Sequence, residues 1–126
     1  MRGRGLPRGG PRRSLGGWRG RTGTLSGVRI VWTRPALADV LEIKHYIAAD
    51  SARYAQVVAE RVFAAVERLD AYPLSGRMVP ELSAVTVREV VEPPYRIVYR
   101  VRADVLEIIA VVHSARRFPT EDLRTR

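Results

Sequence analysis

Apolar and polar positions from residue 28 onward follow two periods, one helical and one extended. Val28-Arg29-Ile30-Val31-Trp32 is a short β-branched run and predicts a strand. Thr33-Arg34-Pro35 opens a helix, with proline suited to the first helical position. From Pro35 to about Ala49, Leu37, Val40, Leu41, Ile43 and Ile47 form a broad apolar stripe, with Asp39, Glu42 and Lys44 mainly off it. His45 reads as surface and Tyr46 as core. Asp50-Ser51 is a capping pair for a second helix that runs to about Ala71. There Ala55, Val58, Ala59, Val62, Phe63, Val66 and Leu69 recur at steps of three and four and define one continuous face. Tyr72-Pro73 stops that helix, because proline has no N–H to donate and pushes its predecessor out of the α region.

After this point the period falls to two. Leu74-Ser75-Gly76-Arg77 is a turn, and Met78 to Ser83 a loop. Val85 to Val91 alternates as a strand. Pro93-Pro94 turns into a strand from Tyr95 to Val101, Ala103-Asp104 reverses tightly, and Val105 to Val112 is a near-continuous apolar run that reads as a central strand. Phe118-Pro119 is placed to clamp the chain end onto the core. Thr120 to Arg126 is expected to fray. The order is β-α-α-β-β-β: an α+β domain with a helical hairpin over one face of a mostly antiparallel sheet. The first strand joins as an added edge or beside a later strand.

Alternation puts Tyr95, Ile97, Tyr99 and Val101 on one face of their strand and Arg96, Val98, Arg100 and Arg102 on the other. Three arginines on one strand face repel unless something acidic lies opposite. Glu89, Glu107, a partner's carboxylate or a phosphate would serve, since the planar guanidinium fork suits either anion.

Charge sharpens this picture by its uneven distribution. Residues 1–27 hold seven arginines and no acid, whereas residues 28–126 hold fifteen basic and thirteen acidic groups. The chain's net +9 therefore sits mostly in the first 27 residues, which weakens any argument from bulk charge for nucleic-acid binding by the folded part. Residues 1–27 are rich in Gly, Arg and Pro with little to bury, and read as a disordered tail. They fit a solvated or nucleic-acid-touching arm. They fit equally well upstream sequence outside the native protein, with residues 28–126 as the one folded domain. With no cysteine and two distant histidines, neither a disulfide framework nor a metal-ligand spacing is present, and no metal or cofactor is expected. No apolar run approaches membrane-spanning length and no signal-type apolar segment follows the basic start. A cytoplasmic protein without membrane contact is the expectation.

Taken together, Trp32-Thr33-Arg34-Pro35-Ala36, the helix pair, Tyr72-Pro73 with Gly76-Arg77, Arg88-Glu89, Tyr95-Arg96-Ile97-Val98-Tyr99 and His113-Ser114-Ala115-Arg116-Arg117 resemble the RelE/ParE superfamily over about Val28 to Pro119. These are the toxins of type II toxin–antitoxin modules. The resemblance implies a growth-inhibiting toxin neutralised by a cognate antitoxin in a hetero-oligomer. It implies two alternative actions on one fold. ParE-type members poison DNA gyrase by protein–protein contact. RelE-type members cut mRNA on the ribosome without a metal.

A metal-free ribonuclease needs a base for the 2′-OH, an acid for the leaving 5′-oxygen, and cations for the charge of the transition state. The one constellation that could serve is Glu81 as base, Arg96 as charge stabiliser and His113 as acid, of which Glu81 and Arg96 resemble the RelE-branch Glu and Arg by motif position. The pattern departs from the RelE branch in three places: His113 sits one position early, no tyrosine follows it, and Lys44 is the sole lysine. The ParE side is therefore the closer match, with Arg77, Arg88, Arg100, Arg116 and Arg117 as candidates for contacting the target or the antitoxin. Each candidate also has a plain structural reading. His113 is hydrogen-bonded at a strand end, Glu81 is solvated in a loop, and Arg88 and Glu89 are cross-strand ion partners.

Overall fold

The computed structural model describes residues 28–126; the reading of residues 1–27 as a disordered tail lies outside the described residues. The predicted β-α-α-β-β-β order is recognisable, with a short strand and a terminal helix added. A strand β1 (Arg29–Trp32) leads to helices α1 (Arg34–Ala48) and α2 (Ala52–Glu67), the latter finishing in a 3-10 turn, Arg68–Asp70. Strands β2 (Arg77–Met78), β3 (Val87–Glu92), β4 (Tyr95–Arg102) and β5 (Val105–His113) follow, and helix α3 (Thr120–Arg124) closes the chain. The sheet order is β1-β5-β4-β3-β2. β1 pairs parallel to β5, and every other pair is antiparallel.

Local chemistry sets the helix boundaries. Thr33 caps α1 by accepting from the Ala36 N–H, with Pro35 in the first turn, and Ser51 caps α2 by accepting from the Tyr54 N–H. The periodic face of α2 goes inside as expected: Ala55, Val58, Ala59, Val62, Val66 and Leu69 are buried. With Ala36 and Val40 of α1 they pack on Tyr95, Ile97, Tyr99, Leu106, Ile108 and Val111 of the sheet. Burying each such valine or leucine contributes roughly 1.5–3 kcal/mol, and this face is the main source of stability.

The other face of the sheet is not bare. Val79 and Leu82 from the segment after β2, and Leu123 of α3, cover Val87, Val98, Ile109, Ala110 and Val112, with Phe118 packed alongside. β5 is thus covered on both faces, which explains its near-continuous apolar sequence. Between Val98 and Tyr99 the register to β5 shifts: Val98 faces Ala110 and Tyr99 faces Ile108, so Ile109 is the extra residue of a bulge. Beyond Ile108, β1 no longer covers the β5 edge. Side chains satisfy its backbone instead. The Ile108 carbonyl accepts from the Thr33 hydroxyl (2.7 Å) and N–H (3.1 Å), the Ile109 carbonyl from Arg126 Nη1 (2.8 Å), and the Val111 N–H donates to Asp39 (3.0 Å).

Three expectations are corrected. The chain end does not fray: Leu123 is buried and Arg126 bridges Asp39 and Asp122, because the second face of the sheet offers an apolar seat and Asp39 a counter-charge. Tyr46 is a surface residue, 78 % exposed, because it lies off the α1 stripe centred on Val40, Ile43 and Ile47. The stretch after the turn is not all loop, since Arg77–Met78 adds a two-residue edge strand against Arg88 and Glu89. The Pro93–Pro94 peptide bond is cis, and Ala103 takes a positive φ of 50° in the tight β4–β5 reversal.

Candidate functional site

The motif residues converge at the β2–β3–β4 end of the sheet. Glu89 is their centre. Its side chain is fully buried, and it accepts from Arg77 Nε through one oxygen and from Arg96 Nε through the other, both at 2.7 Å. Such a carboxylate is tolerable in an apolar interior because two charge-assisted hydrogen bonds replace its water. Arg96 then uses its two remaining nitrogens in a fork on Glu81, at 2.8 and 3.1 Å. Its guanidinium carbon lies 4.4 Å from the centroid of the Phe118 ring, a cation–π contact. The result is a chain of four charges, Glu81–Arg96–Glu89–Arg77, with Phe118 laid over it.

The electrostatics follow from that geometry. The Arg96 fork holds the Glu81 carboxyl below the usual carboxylate range, against a smaller opposing effect of burial. Glu81 and then Glu89 hold Arg96 above its ordinary value, burial again opposing. A carboxylate held this way is a weaker base than a free one.

Beside this chain sits the turn from Tyr72 to Gly76. The Gly76 N–H donates to the Tyr99 hydroxyl (2.9 Å), and Arg88 Nη1 donates to the Gly76 carbonyl (2.8 Å). A Cβ on Gly76 would stand 2.6 Å from both the Glu89 carbonyl oxygen and the Tyr99 hydroxyl, so no larger residue fits. Burial raises the Tyr99 phenol above its ordinary value, and its hydroxyl is used structurally, as buried tyrosines usually require. Gly76-Arg77, Arg88-Glu89 and the Tyr95–Tyr99 motif are thus parts of one interlocked cluster.

The other sequence candidates lie apart from it. Arg96 is paired in register with Val112, and Tyr95 with His113. His113 therefore projects to the helix-covered face, opposite to Arg96 and Glu81. The His113 ring stands edge-on to Tyr95, centroids 5.3 Å apart, and its Nδ1 accepts from the Ala115 N–H at 3.0 Å. That bond leaves Nε2 as the protonated nitrogen of the neutral ring. Arg100 donates to Glu107 (3.1 Å), which Arg102 also approaches at 3.8 Å. The basic row on β4 therefore finds its acids within the chain: Glu81 and Glu89 for Arg96, Glu107 for Arg100 and Arg102. Arg116 and Arg117 are exposed, and among the described residues neither makes an ion pair. Lys44 lines a shallow groove between α1 and α2, away from the charge chain. Among the described residues, no group of histidine, aspartate and glutamate is arranged to hold a metal ion.

Sequence reasoning quoted Gly76 and Tyr99 only as motif residues and Phe118 only as an end clamp, and it missed Asp39 and Arg126 as contributors. The signal for Tyr99 was available: a hydroxyl on the core-facing side of a strand demands a partner. Arg126 gave none, since the contact to Asp39 spans 87 positions.

A helical hairpin on a five-stranded, mostly antiparallel open sheet, with an arginine–glutamate cluster at the β2–β4 end, defines the architecture as a small α+β protein. A family model described as the ParE toxin of the type II toxin–antitoxin system parDE matches residues 30–118, and the chain belongs to that family. Toxin RelE2 of Caulobacter vibrioides is 42% identical over 89 residues, covering 70% of this chain and 97% of that protein. A chain of the chromosomal ParDE toxin–antitoxin system from P. aeruginosa superposes with a TM-score of 0.60 at 23% identity. It covers 70% of this chain and 97% of that one, and at this identity the likeness speaks for the fold. Family membership implies a cognate antitoxin as partner. Among the described residues, no helix is long and apolar enough to cross a membrane.

Proposed function

We propose that this toxin acts on DNA gyrase in the cytoplasm by protein–protein contact and that it does not cut RNA. The observation that carries this reading is the state of the three nuclease candidates. Glu81 and Arg96 neutralise each other in a bidentate pair, Arg96 is further tied to Glu89 and covered by Phe118, and His113 projects from the opposite face. A base and an acid must flank one scissile phosphate within hydrogen-bond reach. A base on one face of a sheet and an acid on the other do not meet that condition. Arg96 also lacks a free donor pair for a phosphate.

The second reading, a ribosome-dependent endoribonuclease using Glu81, Arg96 and His113, draws support from the similarity to a toxin named RelE2. Induction of the chain in cells, followed by mapping of mRNA 5′ ends and scoring of the DNA-damage response, tests both. The proposal expects growth arrest with intact mRNA and a damage response. Codon-specific mRNA cuts that vanish in Glu81→Ala and His113→Ala would overturn it. In either case an antitoxin with an acidic, apolar segment that folds on binding is expected to restore growth.

A further inference from the structure

One part of the surface is apolar, rigidly held and unused by the fold. Tyr72, Leu74 and Met78 are 71%, 61% and 45% exposed, and they lie in one stretch that passes from the end of α2 into edge strand β2. A contiguous exposed apolar patch marks an interaction site, and a fixed backbone beneath it favours binding. Here it is fixed at four points. The Ser75 N–H donates to the Tyr72 carbonyl (3.1 Å), Arg88 Nη1 donates to the carbonyls of Leu74 (3.4 Å) and Gly76 (2.8 Å), and Gly76 donates to Tyr99. A surface held before its partner arrives loses little conformational entropy on binding.

The charge around it is layered. Two ion pairs belong to this region of the chain, Arg77–Glu89 within the stretch and Arg68–Glu92 with its arginine shortly before Tyr72 in sequence. In each the guanidinium is outermost: Arg77 and Arg68 are 62% and 68% exposed, Glu89 and Glu92 0% and 25%. The outward face is therefore cationic although the pairs are neutral. Arg77 gives only its Nε to Glu89, which leaves the nitrogens of its fork for a second carboxylate. Leucine and methionine offer nothing to a phosphate backbone, so this combination suits a protein better than a nucleic acid.

We infer that the Tyr72–Met78 stretch is the surface by which the toxin engages its target protein, and that it takes a segment carrying apolar side chains flanked by carboxylates. This rests on the reading of the toxin as one that acts by protein contact. The test uses the full chain with Leu74→Glu/Met78→Glu, which places repulsion at the centre of the surface, and Val85→Glu as a control at an exposed apolar residue elsewhere. Growth arrest in cells, inhibition of the gyrase holoenzyme and co-purification with the antitoxin are measured for each.

The inference expects the double variant to lose growth arrest and at least about tenfold in gyrase inhibition, the scale of one lost anchor contact. It expects the thermal midpoint and the antitoxin complex to be retained, and Val85→Glu to behave as the unmodified chain. Full arrest by the double variant would overturn the inference. If that variant does not fold, Leu74→Ser alone decides by the same criterion. Because arrest is scored whatever the target, an unmodified chain that arrests growth without touching gyrase fails the gyrase reading only. An unmodified chain that causes no arrest overturns both. Loss of DNA-duplex binding in the variant, with protein binding intact, would also overturn it and assign the surface to nucleic acid.

Discussion

Glu89 is the residue on which the cluster depends. A fully buried carboxylate is stable there only while Arg77 and Arg96 both donate to it. Glu89→Gln keeps the shape and removes the charge, leaving Arg96 with Glu81 alone; it is expected to cost roughly 3 kcal/mol, as for one broken partner in a buried ion pair. Gly76→Ala tests the neighbouring constraint. Its methyl group would overlap the Glu89 carbonyl and the Tyr99 hydroxyl, and neither can move without breaking the strand or the hydrogen bond. A loss of about 1–3 kcal/mol in urea unfolding is expected. Glu81 carries a pH signature. Its folded value lies below the ordinary 4.5, so its pairing stabilises the fold above that pH and is lost as the pH falls through the folded value. Glu81 is more than a third exposed, and the effect is that of a screened pair, no more than about 1 kcal/mol. Urea titrations across the acid range should show this decline in the native chain and a flatter profile in Glu81→Gln.

Elements with a strong period were legible in the sequence, and those held by a single contact were not. The α2 face recurs over four turns, and β4 and β5 alternate or run apolar for eight and nine residues, so no competing assignment fits them. Strand β2 has two residues, too few for any period, and is held by pairing to β3. In the sequence, helix α3 reads as a fraying end, and it contributes one buried apolar side chain, Leu123. Its seat belongs to a cluster drawn from β3, β4, β5 and the segment after β2, which no local pattern reveals. Leu123→Ala should therefore cost about 2–5 kcal/mol, measured by chemical denaturation, where a frayed end would cost nothing. The β4–β5 reversal offers the opposite change. Ala103 holds a positive φ, which disfavours a residue with a Cβ, and Ala103→Gly is expected to raise the unfolding free energy by roughly 0.5–1 kcal/mol.

At the scale of the whole molecule, the same distinction separates fold from site. The family motifs could be read from the chain, and three of them, Gly76-Arg77, Arg88-Glu89 and Tyr95–Tyr99, gather into one cluster. The side that each residue faces could not be read, because it depends on register. The pairing of Tyr95 with His113, and of Arg96 with Val112, puts the histidine on one side of the sheet and Arg96 on the other. A constellation that looks catalytic along the sequence becomes, in three dimensions, an internal ion cluster and a histidine bonded to its own backbone. The cluster holds a turn that presents apolar side chains outward, which supports the proposal of action by protein contact.

The most direct measurement is a supercoiling assay with purified gyrase, run beside a translation reaction with intact ribosomes, both titrated with the full chain. The account predicts that supercoiling stops and cleaved DNA accumulates while the mRNA stays whole. Cut mRNA with unimpaired supercoiling, and cutting abolished by His113→Ala, would contradict it.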